Sequence, residues 1–161
     1  MISCRYIIVF TVIICLLIID QAIKIAVESY LTLHQPFDIF TFITLYRTHN
    51  PGVSFSMLSN ISPWILITIR VLIIAFITFI WNKTPKNQLI TNIGYMLTIA
   101  GALGNLMDNC LYGYVVDYLM IHTNTWSFAI FNFADSIISI GACLIVYNEI
   151  LLWKKDKKSS F

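Results

Sequence analysis

Residues 61–81 of this chain read ISPWILITIRVLIIAFITFIW. This stretch is apolar almost throughout, and its only charged residue is Arg70. A helix rises about 1.5 Å per residue, so about 20 apolar residues are enough to cross the hydrocarbon core of a bilayer. The stretch therefore predicts a membrane-spanning segment rather than part of a water-soluble core.

Three further stretches have the same character and cover roughly residues 6–27, 89–106 and 128–153. Hydrophobic residues make up 58% of the chain and charged residues only 11%. Backbone groups in hydrocarbon must be paired internally, and these continuous Ile- and Leu-rich runs lack the alternation of β-barrel strands. We therefore expect an all-α membrane protein in which four transmembrane helices form a single domain over residues 1–161.

The distribution of basic residues predicts how the chain is oriented. Most of them lie at one side of the predicted spans: Arg5, Lys83, Lys86, Lys154, Lys155, Lys157 and Lys158. Residues 28–60 hold only Arg47, and residues 107–127 hold no Lys or Arg. By the positive-inside rule, both termini are cytoplasmic and these two loops are external. The net charge of +2 then reflects topology and contact with membrane lipids, and we expect no nucleic-acid partner.

The first external loop predicts a small β-rich region. Residues 36–46 are rich in β-branched and aromatic side chains, which favours one or two strands, and Asn50-Pro51-Gly52 then favours a turn. One interpretation is a sheet that only covers the membrane end of the protein. The other is a cradle that binds an extended peptide along a free strand edge.

Two aspartates, Asp117 and Asp135, are the strongest functional candidates. Each lies where a long apolar segment begins or is interrupted, and a carboxylate near hydrocarbon is costly enough to mark a functional site. Held close together, two carboxyl groups share one proton, so that one can act as a base and the other as an acid. This chemistry suits amide hydrolysis and needs no metal or cofactor, and the four cysteines show no metal-binding spacing.

Other polar residues are predicted at the same depth, near the external surface. Asp20 and Lys24 are four residues apart on one helix face, and Asn105 and Asp108 lie beside glycines that permit close helix packing. Arg70 either extends to the interface or neutralises a carboxylate, and the sequence does not choose between the two. The same acids would also suit a proton-coupled transporter or channel, although such proteins usually bind near the midplane and contain repeats.

Four ordered motifs resemble those of the bacterial lipoprotein signal peptidases, the signal peptidase II family. They are residues 20–24 (DQAIK), 50–55 (NPGVSF), 101–108 with 113–118 (GALGNLMD and GYVVDY), and 131–135 (FNFAD). The match that they define extends over nearly the whole chain. Any one of them alone would be a weak signal, but four in order are specific.

The resemblance implies an aspartic endopeptidase of the bacterial inner membrane. This family removes the signal peptide from diacylglyceryl-modified prolipoproteins, cutting just before the lipidated cysteine. Asp117 and Asp135 match the catalytic pair. The positions that match supporting or substrate-contacting residues are Asp20, Lys24, Asn50, Gly104, Asn105 and Asn132.

We further expect a monomer with its active site at the outer face of the membrane. Asn109 stands where the family pattern has arginine, so no arginine contact is expected at that position.

Overall fold

The computed structural model describes residues 4–51, 62–123 and 125–159. Its helices are α1 (Cys4–Tyr30), α2 (Pro63–Lys83), α3 (Leu89–Tyr112) and α4 (Phe133–Ser159), and its strands are β1 (Pro36–Phe40), β2 (Ile43–Asn50) and β3 (Val115–Ile121). All four helices are long and apolar enough to cross a membrane. The predicted fold class, four membrane helices with a small β-rich region, is confirmed.

Two predicted helix boundaries were wrong. The third helix was expected to end near residue 106 but continues to Tyr112, where Gly113 adopts a left-handed conformation and closes it. The fourth was expected to begin near residue 128 but begins at Phe133, because Phe131 instead pairs with Leu119 alongside β3. Apolar strand residues and apolar helix residues have the same hydropathy, so hydropathy alone did not separate them.

Helix α3 is the central element of the bundle, since it packs against α1, α2 and α4. Its contact with α4 is very close at Gly101, where an added Cβ would clash with the carbonyl oxygen of Ala134. The expectation that glycines allow close packing here is confirmed. The helix thereby carries its polar residues into the interior between its neighbours.

The interior is unusually rich in polar side chains, and the exterior is largely apolar. The buried side chains include Asp20, Lys24, Asn105, Asp108, Asp117 and Asn132. Large apolar side chains such as Phe10, Leu72 and Phe76 are exposed on the helix surfaces. This distribution suits a protein whose outer surface faces lipid rather than water.

The strands form one antiparallel sheet in the order β1-β2-β3. They lie in the connections from α1 to α2 and from α3 to α4, so they gather at one end of the bundle. The prediction of one or two strands within residues 36–46 is confirmed, and Asp117 lies in β3 opposite Thr48 rather than in an irregular loop. The predicted turn at Asn50-Pro51-Gly52 cannot be followed past Pro51, because Gly52 lies outside the described residues.

Candidate active site

Asp117 and Asp135 line one open cleft of about 740 Å³ at the end of the bundle that carries the sheet. Asp117 comes from β3 and Asp135 from the first turn of α4. One wall of the cleft is the mainly apolar segment 126–131, and Arg70 of α2 lines it as well. The structure thus brings the two predicted catalytic aspartates together beside a largely apolar surface.

Asp135 is fixed by the way α4 begins. Asn132 precedes the helix, and its Oδ1 accepts a hydrogen bond of 2.9 Å from the backbone N–H of Asp135. In return, the backbone N–H of Asn132 donates to Asp135 Oδ2 at 3.3 Å. This reciprocal arrangement is a capping box, and a carboxylate in the first turn is also stabilised by the helix dipole. Local helix capping therefore determines where the Asp135 carboxylate lies.

Asp117 is held by two side-chain amides. Asn50 Nδ2 donates to its Oδ2 at 2.8 Å, and Asn132 Nδ2 donates to its Oδ1 at 2.6 Å. Asp117 is only 2% exposed, and this burial raises its pKa to about 6, with the nearby charge of Asp135 acting in the same direction. Asp117 can therefore gain or lose a proton close to neutral pH.

Asn105 connects the aspartate pair to a second charged group. Its Nδ2 donates to Asp135 Oδ1 at 2.7 Å. Its Oδ1 accepts hydrogen bonds from Lys24 Nζ and from Asn132 Nδ2, both at 3.2 Å. Asn105 and Asn132 together leave few alternative positions for the two carboxylates.

Lys24 lies at the centre of the second charged group. Its Nζ is 2.8 Å from Asp20 Oδ2 and 2.8 Å from Asp108 Oδ2, and all three side chains are almost fully buried. Asp20 Oδ1 also accepts the backbone N–H of Ala134, in the first turn of α4. Removing one charged side chain from such a buried group lowers stability strongly, because the remaining charges stay buried without a partner. The group therefore joins α1, α3 and α4 just behind the aspartate pair.

Gly104 is required by the position of Asp20. A Cβ at Gly104 would lie 2.6 Å from Asp20 Oδ2, too close for any other residue without displacing that carboxylate. All eight residues predicted for the site, catalytic or supporting, thus lie in one connected region.

Some residues of this region were missed as site residues by the sequence analysis. Gln21 Nε2 donates to Asp108 Oδ1 at 2.8 Å, and the backbone N–H of Val116 donates to Asp108 Oδ2 at 3.3 Å. Asp108 thereby fixes the start of β3 one residue before Asp117. Asp108 was expected to face other helices, which its contact with Lys24 of α1 confirms, but no feature of the sequence indicated its hydrogen bond to β3.

A further missed group anchors β2 to the end of α1. Arg47 Nη1 donates to the backbone carbonyls of Glu28 and Leu31, and Arg47 also forms an ion pair with the Glu28 carboxylate. His49 Nε2 lies 2.7 Å from Glu28 Oε1, and its ring stacks on Tyr114. These contacts hold the strand that ends in Asn50, the donor to Asp117.

Asn109, which replaces the family's arginine, is only 5% exposed. Its Nδ2 has no hydrogen-bond partner among the residues that the structure describes.

Among the residues that the structure describes, no three His, Cys, Asp or Glu side chains are grouped so that they could hold a metal ion. That the protein needs no cofactor stays a prediction.

The fold and the site define a multi-pass membrane protein with paired carboxylates in an open cleft at one end of its helix bundle. Residues 12–151 match the family model described as "Signal peptidase (SPase) II". The chain is 47% identical to the lipoprotein signal peptidase of Allorhizobium ampelinum over 154 residues, which cover 96% of this chain and 94% of that protein. It is also 47% identical to that of Sinorhizobium fredii, over 88% of this chain and 85% of the relative.

A solved structure described as a bacterial membrane enzyme is similar as well, with a TM-score of 0.80 at 27% identity. The match covers 93% of this chain and 90% of the other. The chain belongs to the signal peptidase II family, which is a family of proteases. The resemblance seen in the four sequence motifs is therefore confirmed.

Proposed function

We propose that this protein is an aspartic endopeptidase that removes the signal peptide from diacylglyceryl-modified prolipoproteins. The cut falls just before the lipidated cysteine, and Asp117 and Asp135 activate the attacking water. The observation that carries the proposal is that both aspartates line one cleft, each held by amide donors. Membership of the signal peptidase II family supports the substrate class.

The geometry favours a pair that holds a single proton. Two nearby carboxylates resist double ionisation, and the raised pKa of Asp117, about 6, lets one proton remain with the pair. The ionised member takes a proton from water, while the protonated member polarises the scissile carbonyl. The protonated member then supplies a proton to the leaving amine. The supporting amides of Asn105 and Asn132 keep the carboxylates in place during these transfers.

The cleft also suits a lipid-bearing peptide. Its wall includes Trp126, Phe128 and Phe131, whose rings lie close to one another beside the aspartates. An apolar surface of this kind favours acyl chains and the apolar core of a signal peptide. We expect β1, an exposed edge strand, to help hold the extended peptide.

The protein is proposed to act as a monomer in the bacterial inner membrane, with the aspartates at the outer face and both termini in the cytoplasm. The lysine-rich end of α4 supports this orientation. A fluorescent reporter that folds only in the cytoplasm, fused after Phe161, should be bright. A dark but fully expressed fusion would contradict the orientation.

The activity is tested by incubating the purified protein with a precursor whose cysteine carries diacylglyceryl, and with the same precursor unmodified. Mass spectrometry should detect the released signal peptide and a product that begins with the modified cysteine, only from the lipidated substrate. No release from either substrate would contradict the proposal and would favour a transport role for the same acids. Equal cleavage of both would contradict the substrate class.

A further inference from the structure

Arg70 is a charged residue inside a predicted membrane span. It lies seven residues after Pro63, the first residue of α2, which places it about 10 Å along the helix. A cation at such a depth is costly and usually faces a partner or a water-filled cavity. Arg70 lines the cleft that contains Asp117 and Asp135, so the cavity is the one already described.

The position of Arg70 on α2 argues against simple extension toward the lipid headgroups. The half-buried residues on this part of the helix recur every three or four positions and include Leu66, Arg70, Ile74 and Ile77. Ile69, Val71 and Leu72, which flank Arg70, are exposed on the lipid-facing side. Arg70 thus lies on the packed face of α2 and not on its lipid face.

Arg70 has no acceptor among the residues that the structure describes. It forms no ion pair or hydrogen bond with any residue in the part of the chain that the structure describes. The charges that act on it most strongly are those of Asp135 and Asp117, but both carboxylates already accept hydrogen bonds from asparagine side chains. Its guanidinium therefore keeps its N–H donors available to a molecule in the cleft.

Several neighbouring side-chain donors in the cleft are already used. Asn105 Nδ2 donates to Asp135, and the hydroxyls of Ser136 and Ser139 donate to backbone carbonyls one turn earlier in α4. Among the described residues lining the cleft, Arg70 is also the only cation. Arg70 is therefore the charged hydrogen-bond donor available to the carbonyl oxygens of a substrate bound in this cleft.

We propose that Arg70 is a substrate-binding residue that donates hydrogen bonds to carbonyl oxygens of the bound precursor. The inference rests on the proposed function, because that function supplies a substrate of this chemistry. Two groups of the precursor carry such oxygens: the peptide backbone and the esters of the diacylglyceryl group. A planar guanidinium can reach two acceptors at once, which an ammonium group on lysine does less well.

Binding is measured in the Asp117→Asn background, so that affinity is separated from cleavage. Adding Arg70→Met should raise the Kd of the diacylglyceryl precursor about 10- to 100-fold, the usual effect of losing hydrogen bonds to a charged donor. Arg70→Lys should recover part of the loss. Lys83→Met, which removes a cation from the same helix outside the cleft, is the matched control and should leave Kd unchanged.

Thermal unfolding separates this role from a structural one. Removing an unpaired cation from a membrane span should leave the protein as stable as before, or more stable. A large fall in the thermal unfolding midpoint of the Arg70→Met variant would show that Arg70 supports the fold and would overturn the proposal. An unchanged Kd for Arg70→Met would overturn it as well.

A diether analogue of the lipid distinguishes the two sources of oxygen. If Arg70 contacts the esters, the diether precursor binds more weakly and Arg70→Met has little further effect on it. If Arg70 contacts the peptide, Arg70→Met weakens both precursors equally. A wild-type protein that binds precursor without cleaving it would refute the proposed function but leave the binding result for Arg70 intact, whereas absence of any binding would refute both.

Discussion

Asn132 is the side chain on which both candidate catalytic aspartates depend. Its amide group contacts Asp117, Asn105 and the backbone of Asp135, and its side chain is fully buried. Because of these contacts, one residue sets the position of two carboxylates on different elements. The identity of the residue as asparagine matters, since it must donate to Asp117 and accept from Asp135 simultaneously.

Asn132→Asp keeps the size of this side chain but replaces its donor by a second carboxylate next to Asp117. We expect kcat/KM to fall at least about 100-fold, because the hydrogen bond to Asp117 becomes a repulsion. The matched control is Asn148→Asp within α4, the helix that Asn132 precedes; the amide of Asn148 donates to Thr91. Peptide release by both purified variants checks this. A kcat/KM for Asn132→Asp equal to that of the control would show that the network does not position the aspartates.

The raised pKa of Asp117, about 6, predicts how activity depends on pH. The pair holds its single proton at lower pH and loses it as the pH rises, so kcat/KM should decrease by about tenfold per pH unit above roughly pH 6. It should also fall at acid pH, when both carboxyls are protonated. A profile that is flat across this range, with chemistry rate-limiting, would argue against a shared proton.

The raised pKa of Asp117 also predicts how the stability of the protein depends on pH. Asp117 binds its proton more tightly in the folded than in the unfolded chain, so its contribution favours folding at low pH. That contribution is lost as the pH rises through about 6. Thermal midpoints of wild type and Asp117→Asn should therefore diverge with pH, with the wild type losing stability relative to the variant. Parallel curves would contradict the buried, proton-binding environment assigned to Asp117.

At this scale the sequence predicted which residues lie together in one region better than it predicted their contacts. The i,i+4 spacing of Asp20 and Lys24 correctly indicated an ion pair on one helix face. The three-way role of Asn132 and the bond from Gln21 to Asp108 depend on how separate helices meet. No spacing within one segment encodes such contacts.

At the scale of elements, a substitution at Gly104 tests how closely α3 must pack against α1. Gly104→Ala would place a Cβ 2.6 Å from Asp20 Oδ2 and displace a carboxylate that holds Lys24. We expect a loss of about 1–3 kcal/mol in unfolding free energy, typical of overpacking, together with a reduced kcat/KM. Thermal unfolding and peptide release measure the two effects.

Gly113→Ala is the control for this prediction. Gly113 has φ of 78°, and no atom of the described residues lies within 4 Å of its Cβ position. Alanine there therefore costs about 1 kcal/mol of backbone strain without a clash among those residues. We expect a small loss of stability with nearly normal kcat/KM. If both glycine variants lost activity equally, the loss would come from α3 as a whole rather than from Asp20.

The elements also show where sequence patterns were insufficient. Hydropathy located all four helices, because only helices satisfy their own backbone in lipid. It placed the end of α3 too early, since the polar residues Asn105 and Asp108 look like a helix end. Both residues instead lie inside α3 with buried side chains. The ion pair with Lys24 offsets the free-energy cost of burying the Asp108 carboxylate.

At the scale of the whole molecule, its polar interior and apolar surface reverse the usual arrangement of a water-soluble protein. The sheet and the starts of α2 and α4 gather at one end, so residues far apart in sequence meet around one cleft. The four sequence motifs could predict this meeting only through their resemblance to a family. From the residues alone, their shared depth was predictable and their mutual contacts were not.

Whether Asp117 and Asp135 are the catalytic pair is decided by measuring cleavage of a diacylglyceryl precursor by purified Asp117→Asn and Asp135→Asn variants. Each replacement keeps the shape of the side chain and removes its ability to exchange a proton. We expect a loss in kcat on the order of 10³-fold or more for either variant, with precursor binding retained and Asp156→Asn behaving as wild type. Cleavage at or near the wild-type rate by either folded variant would contradict the assignment of these two aspartates as the catalytic pair.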